Sequence, residues 1–212
     1  LEFILVESNH AMLQKQKKRL STFKNVKISW KSFQELEKAP VTGVLLAHEM
    51  LDALPVERLI WSNNSLWRQG VELRKDLSLT FTKLPLSDDL NESIKYARDS
   101  LGVQIPPVGV FDGWTTEWHC DVRKWLNKAA KSLIKGPLLV IDYCLEANRY
   151  YRASRSSGTL IAYRAQTART DFLAMSGSCD LTSHLCIETL KADAALEGWK
   201  FLGECRQGQA LL

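Results

Sequence analysis

Three short apolar runs along the chain share one design. "LEFILVE" ends at Glu7, "VTGVLLAHE" ends at Glu49, and "GPLLVIDY" carries Asp142 near its end. Each run is continuous rather than alternating, which is the pattern of strands covered on both faces in a parallel sheet. Between the first two, "NHAMLQKQKKRL" has helical spacing, and "NVKISW" is a shorter strand candidate ending at Trp30. This β-α-β rhythm predicts an open α/β sheet.

The middle of the chain changes period. "VERLIWSNNSLWRQGVELRKDLSLTFTKL" alternates apolar and polar residues around Asn63-Asn64-Ser65, the signature of antiparallel strands. "SDDLNESIKYARDSLG" reads as a helix opening at Ser87-Asp88 and closing at Gly102. After the Pro106-Pro107 break, Trp118, Val122, Trp125, Leu126, Ala129 and Leu133 recur at helical spacing, predicting one helix from Thr116 to Lys135. A loop rich in Arg, Ser and Tyr follows from Leu145 to Ser157. Then come "GTLIAY", a helix from Leu181 to Leu196, and two strand-like pieces in "GWKFLGECRQGQALL". With no internal repeat, residues 1–212 are expected to form a single domain, with an antiparallel and helical insertion at about 56–116.

Length and composition allow a real core: 212 residues, 45% hydrophobic. A net charge of +4 is mild. The one dense basic run, "QKQKKR" from Gln14 to Arg19, has Leu13 and Leu20 on its other side and reads as a solvated helix face. No nucleic-acid partner is expected. No apolar run is long enough to span a bilayer, and no secretory signal is visible. Five scattered cysteines fit a reducing compartment better than a disulfide framework. The chain opens without Met, already inside a strand-like run, as a fragment of a longer protein would.

The acids at the strand ends are the candidate chemistry. Ligands of open parallel sheets bind outside the C-terminal ends of the strands, where Glu7, Glu49 and Asp142 converge if their runs are neighbours. A carboxylate at the second strand of a nucleotide-binding half accepts hydrogen bonds from a ribose diol, a role that suits Glu7. Glu7-Ser8-Asn9 equally suits the cap of the next helix. Glu49 and Asp52 are either a cap for the turn "MLDAL" or a pair of acceptors beside a ligand.

Other chemistry is poorly supported. No G-x-S-x-G elbow and no glycine-rich phosphate loop occur. Cys179, His184 and Cys186 lie close together in "CDLTSHLC" but lack a C-x-x-C companion. They read as helix-buried thiols and a helix-face His, and no metal is expected. His48 and His119 read as packed or solvated.

Several ordered segments resemble the MidA-like methyltransferases, class I S-adenosyl-L-methionine (SAM)-dependent proteins whose mitochondrial members assist respiratory complex I assembly. "FILVESNHAMLQKQKKRL" resembles the family's second strand and helix. "GVLLAHEMLDALPVERL" resembles its most telling motif, Asn-Glu, two residues, then Asp-Ala-Leu-Pro-Val. "GPLLVIDYC", "SGTLIAYRAQ", "CDLTSHLCIETL" and "RQGQALL" resemble later segments in order. The chain departs from the family at His48 (usually Asn), Cys144 (usually Gly), Gln166 (commonly His) and Ala210 (usually Phe).

The resemblance implies a Rossmann-like class I methyltransferase sheet that lacks its first strand and glycine-rich loop, which would lie upstream of Leu1. The SAM site would then be incomplete in this chain. Glu7 and Ser8 would meet the ribose, Trp30 would border the adenine, and His48 would lie beside the cofactor. Glu49, Asp52 and Asp142 would hold the methyl acceptor, a protein arginine if the mitochondrial relatives are a guide. The implied location is the bacterial cytoplasm, or the mitochondrial matrix in a eukaryote. An exposed sheet edge beside Glu7 or Glu49 would permit a homodimer. The alternatives are a small-molecule methyltransferase and a non-catalytic assembly factor, the latter using the Arg/Tyr loop from Tyr150 to Arg155 as a partner surface.

Overall fold

The computed structural model describes residues 1–174 and 176–212. The chain is α/β and divides into two compact units, Leu1–Leu45 with Trp125–Leu139, and Leu46–Lys124 with Val140–Leu212.

In the first unit, the strands Glu2–Leu5 and Lys27–Trp30 pair in parallel, Leu5 opposite Trp30. The helix His10–Leu20 connects them. Asn9 caps that helix by accepting from the Met12 amide at 3.1 Å. Lys17, Lys18 and Arg19 sit in its last turn, where the helix dipole favours cations. A second helix, Phe33–Lys38, opens with a Ser32/Glu35 capping box. Phe33 meets Trp125 edge to face at 6.0 Å, beside the buried Leu36, Leu126 and Ala129. The strands Val41–Thr42 and Leu133–Lys135 pair in parallel. Gly136 has φ +145°, and a Cβ there would fall on the Gly43 carbonyl, so only glycine fits.

In the second unit a four-stranded antiparallel sheet runs in the order Leu79–Leu84, Ser65–Leu73, Glu57–Ser62, Thr115–Trp118. Ser62 faces Ser65 across Asn63 and Asn64. Both turn residues have positive φ, 52° and 56°, the conformation of a type I′ hairpin turn and one that asparagine tolerates. The helix Asp88–Leu101 starts on the Ser87 hydroxyl and stops at Gly102, φ +69°. Its buried stripe, Leu90, Ile94 and Ala97, packs with Leu59, Trp114, Trp118, Tyr150 and Tyr151. A Leu or Ile side chain in this stripe stabilises the fold by about 1.5–3 kcal/mol when fully buried. The strands Cys144–Leu145 and Leu185–Cys186 pair in parallel. Ile161–Arg164 lies between Thr167–Arg169 and Asp180–Thr182.

Several expectations from the sequence are corrected. The segment from Thr116 to Lys135 is not one helix: Thr115–Trp118 is a strand, Asp121–Lys131 the helix and Leu133–Lys135 a strand. Trp118 fell at the helical period by coincidence, and its position is decided by pairing with Glu57. The later helix begins at Ile187, because Leu185 and Cys186 pair with Cys144 and Leu145. The last residues form no strand; Gln207–Ala210 is a helical turn, and Phe201 and Leu202 are exposed. The Arg/Tyr stretch is not all loop: Ala147–Tyr150 is helical, and Tyr150 and Tyr151 are 0% and 4% exposed. The continuous apolar runs are not covered on both faces, since Val44, Leu46 and Leu139 are exposed.

Candidate functional site

In the second unit, the geometry gathers where Leu45–His48 and Leu138–Ile141 end. These strands pair, and the Glu49 amide donates to the Ile141 carbonyl at 2.8 Å. Glu49 then turns into the left-handed region, φ 46°, which is strained for a residue with a Cβ. Its Oε1 accepts from the Tyr143 hydroxyl at 3.0 Å and lies 3.9 Å from His48 Nε2.

Asp142 is engaged on both oxygens. Its Oδ2 accepts from the amides of Leu51 at 3.0 Å and Asp52 at 3.3 Å, and its Oδ1 accepts from the Tyr143 amide at 2.8 Å. It therefore pins the short turn that carries Asp52. The Asp52 backbone is held from another side, its carbonyl accepting from the Ser183 amide at 3.0 Å.

The Asp52 side chain is different. It is only 4% exposed, and its Oδ1 is buried without a hydrogen-bond partner. Burial, then the negative charges of Asp142 and Glu49, push its carboxyl from 3.8 up to about 6, against the opposing pull of the Ala53 and Asp52 amides. The result is an acid poised near neutral pH with a free oxygen.

Two histidines brace this corner. His119 Nε2 lies 2.8 Å from the His184 carbonyl, so Nε2 carries the proton; the Ser183 hydroxyl is 3.3 Å away. His184 meets the Tyr143 ring edge to face at 6.1 Å, and the Leu185 amide donates to the Tyr143 carbonyl. Burial lowers the pKa of both histidines, which favours neutral imidazoles. The Cys144 thiol, half-buried beside Asp142, is pushed up to about 12 by that burial and is inert as a nucleophile.

In the first unit, Glu7 follows the strand Glu2–Leu5. Its Oε1 accepts from the Asn9 amide at 2.8 Å and its Oε2 from the Gln16 side-chain amide at 3.0 Å. Gln16 Oε1 in turn accepts from the Trp30 indole N–H at 3.0 Å. Lys17 Nζ lies 5.7 Å from the centroid of the Trp30 ring. Asn9, rather than Glu7, caps the helix.

Residues 1–205 match the family described as "Putative S-adenosyl-L-methionine-dependent methyltransferase". The chain belongs to that family. Two solved structures from Burkholderia thailandensis are similar to this methyltransferase-family chain. One is a "likely methyl transferase" bound to S-adenosyl-homocysteine (SAH), 20% identical, TM-score 0.74, matched over 93% of this chain and 48% of its own. The other is an uncharacterized protein of the same superfamily, 21% identical, TM-score 0.76, matched over 93% and 50%. At this identity the likeness establishes the fold, and the chain spans about half the length of either protein. No curated protein matches the chain.

Of the sequence-predicted residues of this family member, Glu49, Asp52 and Asp142 stand together in the second unit with His48 beside them. Glu7 and Trp30 are linked in the first unit. Ser8 is exposed there. Among the described residues, no group of three or more His, Cys, Asp or Glu is placed to hold a metal ion, and no helix is long and apolar enough to cross a membrane.

Tyr143, Ser183 and Gln16 were not among the candidates, and His119 and His184 were weighed there and set aside. For Gln16 a signal existed. Leu13, Gln16 and Leu20 form the partly buried stripe of the first helix, so a polar residue occupies an inward position inside a run read as solvated.

Proposed function

We propose that this chain belongs to a MidA-like class I methyltransferase with a Rossmann-like sheet, an antiparallel and helical insertion at about 56–116, and a protein arginine as methyl acceptor. The observation that carries the reading is the buried Asp52 carboxyl with its unpartnered Oδ1, set between Glu49 and Asp142 at two strand ends. The family match and the SAH-bound relative support the cofactor.

When bound, SAM supplies an electrophilic methyl group on its sulfonium. The residues present fit part of such a ligand's site, the glycine-rich loop being assigned upstream of Leu1. Each oxygen of Glu7 accepts one bond within the protein and keeps a lone pair for a ribose hydroxyl. Trp30 offers an aromatic border for the adenine; Ser8 and His48 are assigned to the cofactor as neighbours of Glu7 and Glu49. Glu49 and Asp52 accept N–H bonds from the guanidinium and orient one nitrogen, the pairing that carboxylates make best with arginine. Asp142 keeps the turn in place. Asp52 Oδ1 then takes the proton that the methylated nitrogen releases, a transfer suited to an acid titrating near 6. Orientation contributes most of the rate, because displacement at a methyl group needs little other help.

The test compares wild type with Asp52→Asn, each in a protein that carries the glycine-rich loop segment. Calorimetry of SAH should give affinities within about twofold, while methyl transfer to an arginine-containing peptide falls by roughly 10²-fold or more, the range of a lost proton acceptor. An equal loss of binding and turnover would sink the assignment.

A further inference from the structure

We infer that Gln16 is a positioning residue that joins the ribose-binding carboxylate and the adenine-bordering indole into one hydrogen-bonded unit. The inference rests on the cofactor reading above but assigns a residue that reading does not use.

The geometry allows only one arrangement. An indole N–H can only donate and an ionised carboxylate can only accept. The group between Trp30 Nε1 and Glu7 Oε2 must therefore accept at one end and donate at the other. A side-chain amide does both, and here its two ends lie 3.0 Å from each partner. The two contacts also fix which end of the amide is which. Glutamate at this position would set two carboxylates against each other; methionine would leave both partners unsatisfied; asparagine is one carbon too short to reach both.

The bridge has consequences for a ligand. Glu7 Oε1 is held by the Asn9 amide and Oε2 by Gln16, so the carboxylate plane has no freedom to rotate. Its remaining lone pairs stay aimed in fixed directions before the ligand arrives, which removes an ordering cost from binding. The indole is anchored through the same amide, and Lys17 stands over its ring. Gln16 lies on a helix with no fully buried residue. Methionine there keeps helix propensity nearly unchanged, so the variant should fold.

The experiment uses SAH as the probe and four proteins, each carrying the glycine-rich loop segment: wild type, Q16M, Q16E and the exchange variant E7Q/Q16E. Calorimetry gives the affinity, and the indole N–H signal of Trp30 in a ¹⁵N-resolved NMR spectrum, assigned with W30F, gives the state of the bridge without ligand. We expect Q16M to lose the hydrogen-bonded indole position and at least about tenfold in SAH affinity, the worth of one charge-assisted bond. Q16E should keep the indole signal and lose affinity further, through carboxylate repulsion. In E7Q/Q16E donor and acceptor trade places, so the indole signal should stay at its wild-type position while affinity remains low. Wild-type affinity in Q16M, or recovered affinity in the exchange variant, would overturn the assignment. If wild type binds no SAH while the indole signal still moves in Q16M, the cofactor reading itself fails, and the role of Gln16 in it fails too.

Discussion

The raised acidity constant of Asp52 makes a stability prediction that does not depend on any substrate. In the unfolded chain its carboxyl titrates near 3.8, and in the folded protein near 6. Each unit of difference is worth about 1.4 kcal/mol, so ionised Asp52 destabilises the fold by about 3 kcal/mol. The folded state binds this proton more tightly than the unfolded state. The favourable contribution of protonated Asp52 is therefore fully present below about pH 3.8, declines as pH rises towards 6, and is gone above that. Asp52→Asn keeps the shape and removes the charge. Above pH 7 the variant should be more stable than wild type by about 3 kcal/mol, or roughly 6–12 °C in Tm for a domain of this size. Near pH 4 the gap should close. Urea unfolding of both proteins from pH 4 to 8 reads the difference directly. Asp193, whose carboxyl is also pushed to about 6, titrates in both proteins and cancels. A variant that is no more stable than wild type at pH 8 would refute the claim that Asp52 is held ionised against a cost.

Two further predictions follow from neighbouring geometry. Gly158→Ala should destabilise by more than about 1 kcal/mol, because φ is +73° and the new Cβ would press on the Glu117 carboxylate; an unfolding midpoint unchanged from wild type would contradict it. Tyr143→Phe should cost less than about 1 kcal/mol of stability, since the half-exposed ring keeps its contact with His184. The same change should lower methyl transfer several-fold by freeing Glu49 from the Tyr143 hydroxyl that donates to it at 3.0 Å, and unaltered turnover would remove Glu49's orientation from the mechanism.

What the sequence made legible was local. The Asn63-Asn64 turn, the Ser87 and Gly102 ends of a helix, and carboxylates at the ends of apolar runs are all signals carried by a few adjacent residues. The errors came where long-range pairing overrode a local period. Trp118 and Leu133 continue the spacing of the helix between them, yet each is drawn into a strand by a partner far away, Glu57 and Val41. Leu185 and Cys186 leave the predicted helix for the same reason. The site followed this division. Acids at strand ends could be picked out by position. That Asp142 would be saturated by three amides while Asp52 kept an oxygen free depends on contacts 90 and 91 residues apart.

The two deeply buried carboxylates of the second unit bear on why Asp52 is left as it is. Glu117 is 0% exposed, and its environment is dressed to receive a charge. Its Oε2 accepts from the Thr159 amide at 2.7 Å and hydroxyl at 3.1 Å, and its Oε1 faces Arg58 Nε at 3.7 Å. Asp52 is nearly as buried but faces two other acids, and its own burial together with their charge outweighs the pull of the Ala53 and Asp52 amides. The same fold thus sets one buried carboxylate beside an arginine and two donors, its Oε1 facing the cation without a hydrogen bond, and surrounds the other with like charge. A cationic acceptor would reverse that balance, because a guanidinium between Glu49 and Asp52 supplies the donors and the positive charge the corner lacks. The strain at Glu49 and the cost at Asp52 then belong together. Both are local departures from what folding alone would favour, and they fall at the position where a site is expected to break the rules the rest of the chain obeys.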